Sequence, residues 1–179
     1  MKVLGKILLV LASLAYPPLW YYGREGGAFF WLAAAMCVLW LVRAAMPQTR
    51  AQRAVALVLA FFFAAVPVLG RPDFMYWYPV VVNVLMLAVF GGSLFAGQTV
   101  VERLARLQHP DLPPRGVRHT RRVTLVWCGF FVFNGAAAAI LAGMGRYDWW
   151  AVYTGAVSYG LMGLLFAGEW VYRKVVLKV

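Results

Sequence analysis

Four side chains able to transfer protons or hold a metal fall in one polar stretch of this chain: Glu102, His109, Asp111 and His119. Two histidines and two carboxylates are the groups that a zinc site or a general acid–base pair would use. Their spacing matches no strong motif. There is no HExxH, no P-loop, no GxSxG and no HxxxxD acyltransferase pattern. Arginines at 103, 106, 115, 118, 121 and 122 surround them, and that density of positive charge disfavours a bound cation. Cys37 and Cys128 each stand alone in an apolar run, so neither a disulfide framework nor a CxxC redox or metal pair is expected. Both histidines lie in the polar stretch, which argues against a haem held by two histidines within a membrane. These patterns imply no cofactor and no metal, and they argue against an enzyme.

A second set of candidates lies inside apolar runs, where polar groups are costly and therefore functional suspects. Asn83, Asn134 and Glu169 are the strongest, with Ser13, Ser93, Thr154 and Ser158 weaker. An interhelical hydrogen bond is the plain account of the two asparagines; contact with a transported substrate is the functional one. Glu169 has Arg173 four residues on, the spacing at which helical ion pairs form. A proton-carrying carboxylate would need a relay of titratable groups across the membrane, and no other acid lies within an apolar run.

These residues require positioning elements, and composition says which. Hydrophobic residues make up 64% of the chain and charged residues 13%, about half the charged share of an ordinary soluble surface. Lipid must therefore be the solvent. Runs of about 20 apolar residues cross a bilayer as helices, which satisfy their own backbone hydrogen bonds. Six are expected: Leu4–Tyr22, Ala28–Met46, Ala54–Leu69, Tyr78–Gly97, Val123–Met144 and Trp149–Val171. The expectation is an all-α integral membrane protein, one domain over residues 1–179, built as three consecutive helical hairpins.

Charge orients it. Lys2, Lys6, Arg43, Arg50, Arg53, the six loop arginines, Arg173, Lys174 and Lys178 make fourteen basic residues on one side, against Arg24, Arg71 and Arg146 on the other. The positive-inside rule places the rich side, with both termini, in the cytoplasm. The net charge of +11 thus marks membrane orientation, and nucleic acid is not an expected partner. The start Met1–Lys6, Ile7–Leu14 and Ser13-Leu14-Ala15 imitates a signal peptide, but the apolar character continues to Tyr22 past Pro17. Retention as a first span is expected.

The outer turns resemble one another: Gly23-Arg24-Glu25, Gly70-Arg71-Pro72-Asp73 and Gly145-Arg146-Tyr147-Asp148. Aromatics follow each, among them Phe74, Tyr76, Trp77 and Tyr78, then Trp149, Trp150 and Tyr153, and an interfacial aromatic belt is expected there. A sharper echo links Gly92–Gln98 with Gly163–Glu169, identical at five of seven positions. Small residues at four-residue spacing, such as Gly135, Ala139 and Gly143, suit close helix packing.

The one substantial extramembrane piece is the basic loop 98–122. Val101, Leu104, Ala105 and Leu107 alternate there with charges, which predicts an amphipathic helix continuing from the fourth span. His109–Gly116, with Pro110, Pro113 and Pro114, predicts an irregular path. Arg103, Arg106, Arg115, Arg118, Arg121 and Arg122 are the candidate contacts to anionic lipid headgroups, or to an acidic partner or anionic substrate.

The Leu94-Phe95-Ala96-Gly97-Gln98 end of the fourth run resembles the intracellular septation protein A family of bacterial inner-membrane proteins. So do Arg122–Val132, with Trp127 before Phe130-Phe131, and Trp170-Val171-Tyr172-Arg173-Lys174. Length and hairpin layout match over nearly the whole chain. The loop His109-Pro110-Asp111-Leu112-Pro113-Pro114 departs from that family. It looks more like a related uncharacterised family found beside aryl-polyene or fatty-acid-synthesis-like genes. The resemblance implies a role in cell-envelope maintenance, contacts with division and elongation proteins, or an acyl-carrier-type partner. It brings no catalytic residue. The expected function is a non-enzymatic bacterial inner-membrane protein for envelope maintenance or lipid-like product assembly. The alternative is a small transporter or flippase-like component, with Asn83, Asn134 and Glu169 lining its path.

Overall fold

The computed structural model describes residues 29–46 and 49–174. The expected first span, the signal-like start and the first outer turn lie outside the described residues. Within them every regular element is helical. In chain order these are α1 (Phe29–Ala45), α2 (Arg50–Leu69), a 3-10 segment (Pro72–Trp77), α3 (Tyr78–Ser93), α4 (Val100–Arg106), α5 (Pro114–Gly143) and α6 (Tyr147–Val152). A π-helical turn (Tyr153–Val157) and α7 (Ser158–Tyr172) follow.

Four stretches are long and apolar enough to cross a membrane: Arg50–Leu69, Pro72–Ser93, Pro114–Gly143 and Tyr147–Tyr172. The second expected span is the shorter apolar α1. Trp31, Phe61, Val68, Phe133 and Leu164 all stand exposed. So much outward-facing apolar surface suits lipid and would be unfavourable in water.

Side chains and glycines set the element ends. At the start of α2, the Thr49 hydroxyl accepts from the Gln52 N–H (3.3 Å) and the Gln52 side chain accepts from the Thr49 N–H (3.2 Å), a reciprocal capping box. Gly70 ends α2 at φ 61° and Gly145 ends α5 at φ 65°. Both adopt the left-handed conformation that glycine allows without penalty, as the repeated outer turns predict. The π-helical turn follows a similar local cause. The Thr154 hydroxyl donates to the Trp150 carbonyl (2.7 Å), taking an acceptor the regular ladder would use.

The fold forms two compact units. One holds the residues up to Pro79 together with Ala138–Tyr159. There α1 packs along α2, and Leu59, Phe63, Val66, Met75 and Trp150 are buried. Tyr76 stacks on Tyr147 with ring centres 4.0 Å apart, and the Trp150 indole donates to the Tyr76 carbonyl (3.0 Å). The expected aromatic belt therefore divides. Trp77 and Trp149 face outward, whereas Tyr76, Tyr78 and Trp150 are core.

The other unit holds Val80–Ala137 with Gly160 onward. Its core is Trp127, Phe130 and Phe131, packed against Met86, Phe90, Leu161 and Leu165. Phe166 closes on Trp127 at 4.9 Å.

Three local expectations are corrected. The fourth span ends at Ser93, four residues before Gly97, and α4 is a separate helix beyond a turn. The fifth helix starts at Pro114 and not at Val123. The echo between Gly92–Gln98 and Gly163–Glu169 does not extend to conformation: most of the first copy is a turn, and the second is helix.

Candidate functional site at the arginine-rich end

The turn after α3 is built from hydroxyls. Ser93 Oγ donates to the Phe90 carbonyl (2.6 Å) and accepts from the Val100 N–H (3.1 Å), so one side chain bridges the end of α3 to the start of α4. Thr99 caps α4 by accepting from the Glu102 N–H (3.2 Å). Glu102 is buried, and its carboxylate accepts from Arg106 Nε at 2.9 Å with a second guanidinium nitrogen also at 2.9 Å. The same guanidinium donates to the Pro110 carbonyl (2.9 Å). Arg106 thus pins the following loop to α4.

That loop is short because Pro114 opens α5. A proline at the first helical position loses no hydrogen bond and has its φ set for a helix. The prolines that suggested an irregular path here partly nucleate the longest helix. Arg121, on its second turn, donates to the Leu94 carbonyl (3.0 Å), where a cation suits the orphan acceptors beyond α3.

α5 and α7 meet at the same end. His119 Nε2 lies 3.4 Å from Glu169 Oε1, and the His119 ring stacks on Tyr172, centres 5.1 Å apart and planes within 6°. Arg173 Nε lies 3.0 Å from the same carboxylate oxygen. It is an ion pair without hydrogen-bond alignment, at the expected four-residue spacing.

The four residues considered for acid–base or metal chemistry are therefore dispersed. Glu102 is held by Arg106 and His119 contacts Glu169, while His109 and Asp111 are exposed on the loop. Among the described residues no three His, Cys, Asp or Glu side chains gather as metal ligands would.

The six arginines divide in the same way. Arg106 and Arg121 are committed to structure. Arg103, Arg115, Arg118 and Arg122 are exposed and make no ion pair among the described residues. Deeper in the unit, Asn134 donates its amide N–H to the Asn83 side-chain oxygen (3.2 Å), and both are buried. Gly135 admits this contact: a Cβ there would come within 3.1 Å of Asn83 Cβ. The asparagines are thus a fastening between α3 and α5.

Sequence reasoning passed over Thr99, ranked Ser93 only among the weaker intramembrane candidates, and met Tyr172 only within a family-like motif. Thr99-Val-Val-Glu102 carries the capping spacing and could have placed the start of α4. Nothing local announces Tyr172, which reaches His119 only through the pairing of two helices.

The chain is 33% identical over 102 residues to the inner membrane-spanning protein YciB of Marinomonas sp. (strain MWYL1), a stretch covering 56% of this chain and 52% of that one. It is also 33% identical over 100 residues to the protein of the same name from Hydrogenovibrio crunogenus, covering 56% of this chain and 44% of the relative. The match thus spans about half the length of these curated relatives, which are of the intracellular septation protein family. No family model matches the chain, and no solved structure matches it.

Proposed function

We propose that this chain is a non-enzymatic, multi-pass protein of the bacterial inner membrane that serves envelope maintenance or lipid-like product assembly. In this reading six spans form a single domain with both termini in the cytoplasm. Its basic cytoplasmic face engages anionic lipids or an acidic partner, such as an envelope or acyl-carrier-type protein. The observation that carries the proposal is the division of the arginines. Arg106 and Arg121 have structural partners, whereas Arg103, Arg115, Arg118 and Arg122 project without counter-ions among the described residues. Unneutralised guanidiniums held on a rigid helix attract anions at close range. The relatives, named inner membrane-spanning proteins, support the location.

The test is complementation of a deletion strain in the native host. Replacing Arg103, Arg115, Arg118 and Arg122 with Gln should abolish rescue of the envelope phenotype while the protein still inserts at its normal level. Full rescue by the inserted variant would refute the proposal. The transport alternative would require Asn83 and Asn134 to release one another during a cycle, because each is engaged by the other in this conformation.

A further inference from the structure

On a helix each residue advances about 100°. Arg115, Arg118 and Arg122 therefore share one face of α5, and Val126, Gly129, Phe133 and Ala136 continue it, all within an arc of about 80°. Every one of these seven residues is exposed. The opposite face carries Thr120, Thr124, Trp127, Phe131 and Asn134, all buried. One stripe thus runs from guanidiniums to apolar side chains without a break.

Length sets the depth of that stripe. α5 has 30 residues, about 45 Å, which matches a whole bilayer including both headgroup layers. Counting about 20 residues back from Gly143 to cover the hydrocarbon core reaches Thr124. Arg122 then stands just outside the core, with Arg118 and Arg115 about 6 and 10 Å further along the axis. A second helix fixes the same level independently. The His119–Glu169 contact brings α7 alongside, and there Trp170 is exposed with the Lys174 ammonium 5.2 Å from its ring centre. A tryptophan beside a lysine is a typical interfacial pair.

From this geometry we infer that the α5 stripe is a lateral docking site for an anionic phospholipid of the adjoining leaflet. The lipid phosphate accepts hydrogen bonds from Arg122, Arg118 and Arg115. An acyl chain lies along the shallow trough that Gly129 and Ala136 leave beside Val126 and Phe133. The same face continues as apolar side chains into the bilayer, which matches a ligand with both a phosphate and an acyl chain, whereas a soluble acidic partner would engage the guanidiniums alone. The inference rests on the proposed function and narrows it to one ligand class and three residues.

The test is native mass spectrometry of the protein released from nanodiscs made of equal amounts of phosphatidylcholine and phosphatidylglycerol. The wild type should retain phosphatidylglycerol preferentially. A basic residue near an anionic surface contributes about fivefold in affinity, so the triple variant R115Q/R118Q/R122Q should lose on the order of a hundredfold. The triple Lys variant should keep most of the preference, which excludes a folding defect as the cause. Unchanged phosphatidylglycerol retention by the Gln triple would overturn the inference. If that variant also failed in complementation, the proposed function would stand with a protein partner. Lost retention with intact complementation would uphold the lipid site and refute its role.

Discussion

At the scale of single residues, similar side chains in one loop do different work. Arg106 has a buried carboxylate to neutralise, and Arg103, three residues earlier, has none among the described residues. R106Q would leave Glu102 buried and unpaired, with the Pro110 carbonyl freed. Charge-assisted hydrogen bonds contribute about 1.5–3 kcal/mol, and partial exposure of Arg106 puts the expected cost near the lower end. Thermal unfolding in detergent should show a lower midpoint for R106Q and little change for R103Q. Equal midpoints would mean the pair is not structural. The sequence shows six arginines but not this division, which depends on what lies beneath each: Glu102 under Arg106 and the Leu94 carbonyl under Arg121. The Glu169–Arg173 pair was legible because both partners lie on one continuous helical stretch, where spacing alone sets distance. The Asn83–Asn134 bond was legible only as a type of contact, since the pairing joins residues far apart in the chain.

At the scale of elements, apolar runs located the helices among the described residues well and their ends less well. A hydropathy run marks where lipid begins, whereas a helix ends where its backbone groups find other partners. The two disagree at α5, whose first nine residues are mostly polar yet helical because Pro114 opens the turn and nothing after it forbids continuation. They disagree again at α3, where Ser93 takes the Phe90 carbonyl and bridges to Val100. The fastening between these two helices is open to measurement. Hydrogen bonds between membrane helices contribute about 0.6 kcal/mol on average and at most about 1.7. N83L and N134L should each destabilise by roughly that much. The double variant should cost clearly less than the sum, because one bond is lost only once. Strict additivity would mean that the two asparagines act through other partners.

For the whole molecule, composition and charge asymmetry already required helices in lipid with one basic side, and the structure supplies helices that fit. Orientation rests on the fourteen-to-three division of basic residues, a signal that belongs to no single element. The aromatics illustrate the limit of such whole-chain signals. Their clustering at the turns was plain in sequence, but only packing shows Trp150 buried against Tyr76 while Trp149 beside it faces outward. The proposed function requires the arginine-rich end to lie at the cytoplasmic leaflet. The most direct measurement is cysteine labelling in intact cells with a membrane-impermeant maleimide, in a background carrying C37A and C128A. D111C in the arginine-rich loop should stay unlabelled until the membrane is permeabilised, and R146C in the turn at the other end of α5 should label at once. The reverse pattern would contradict the central claim.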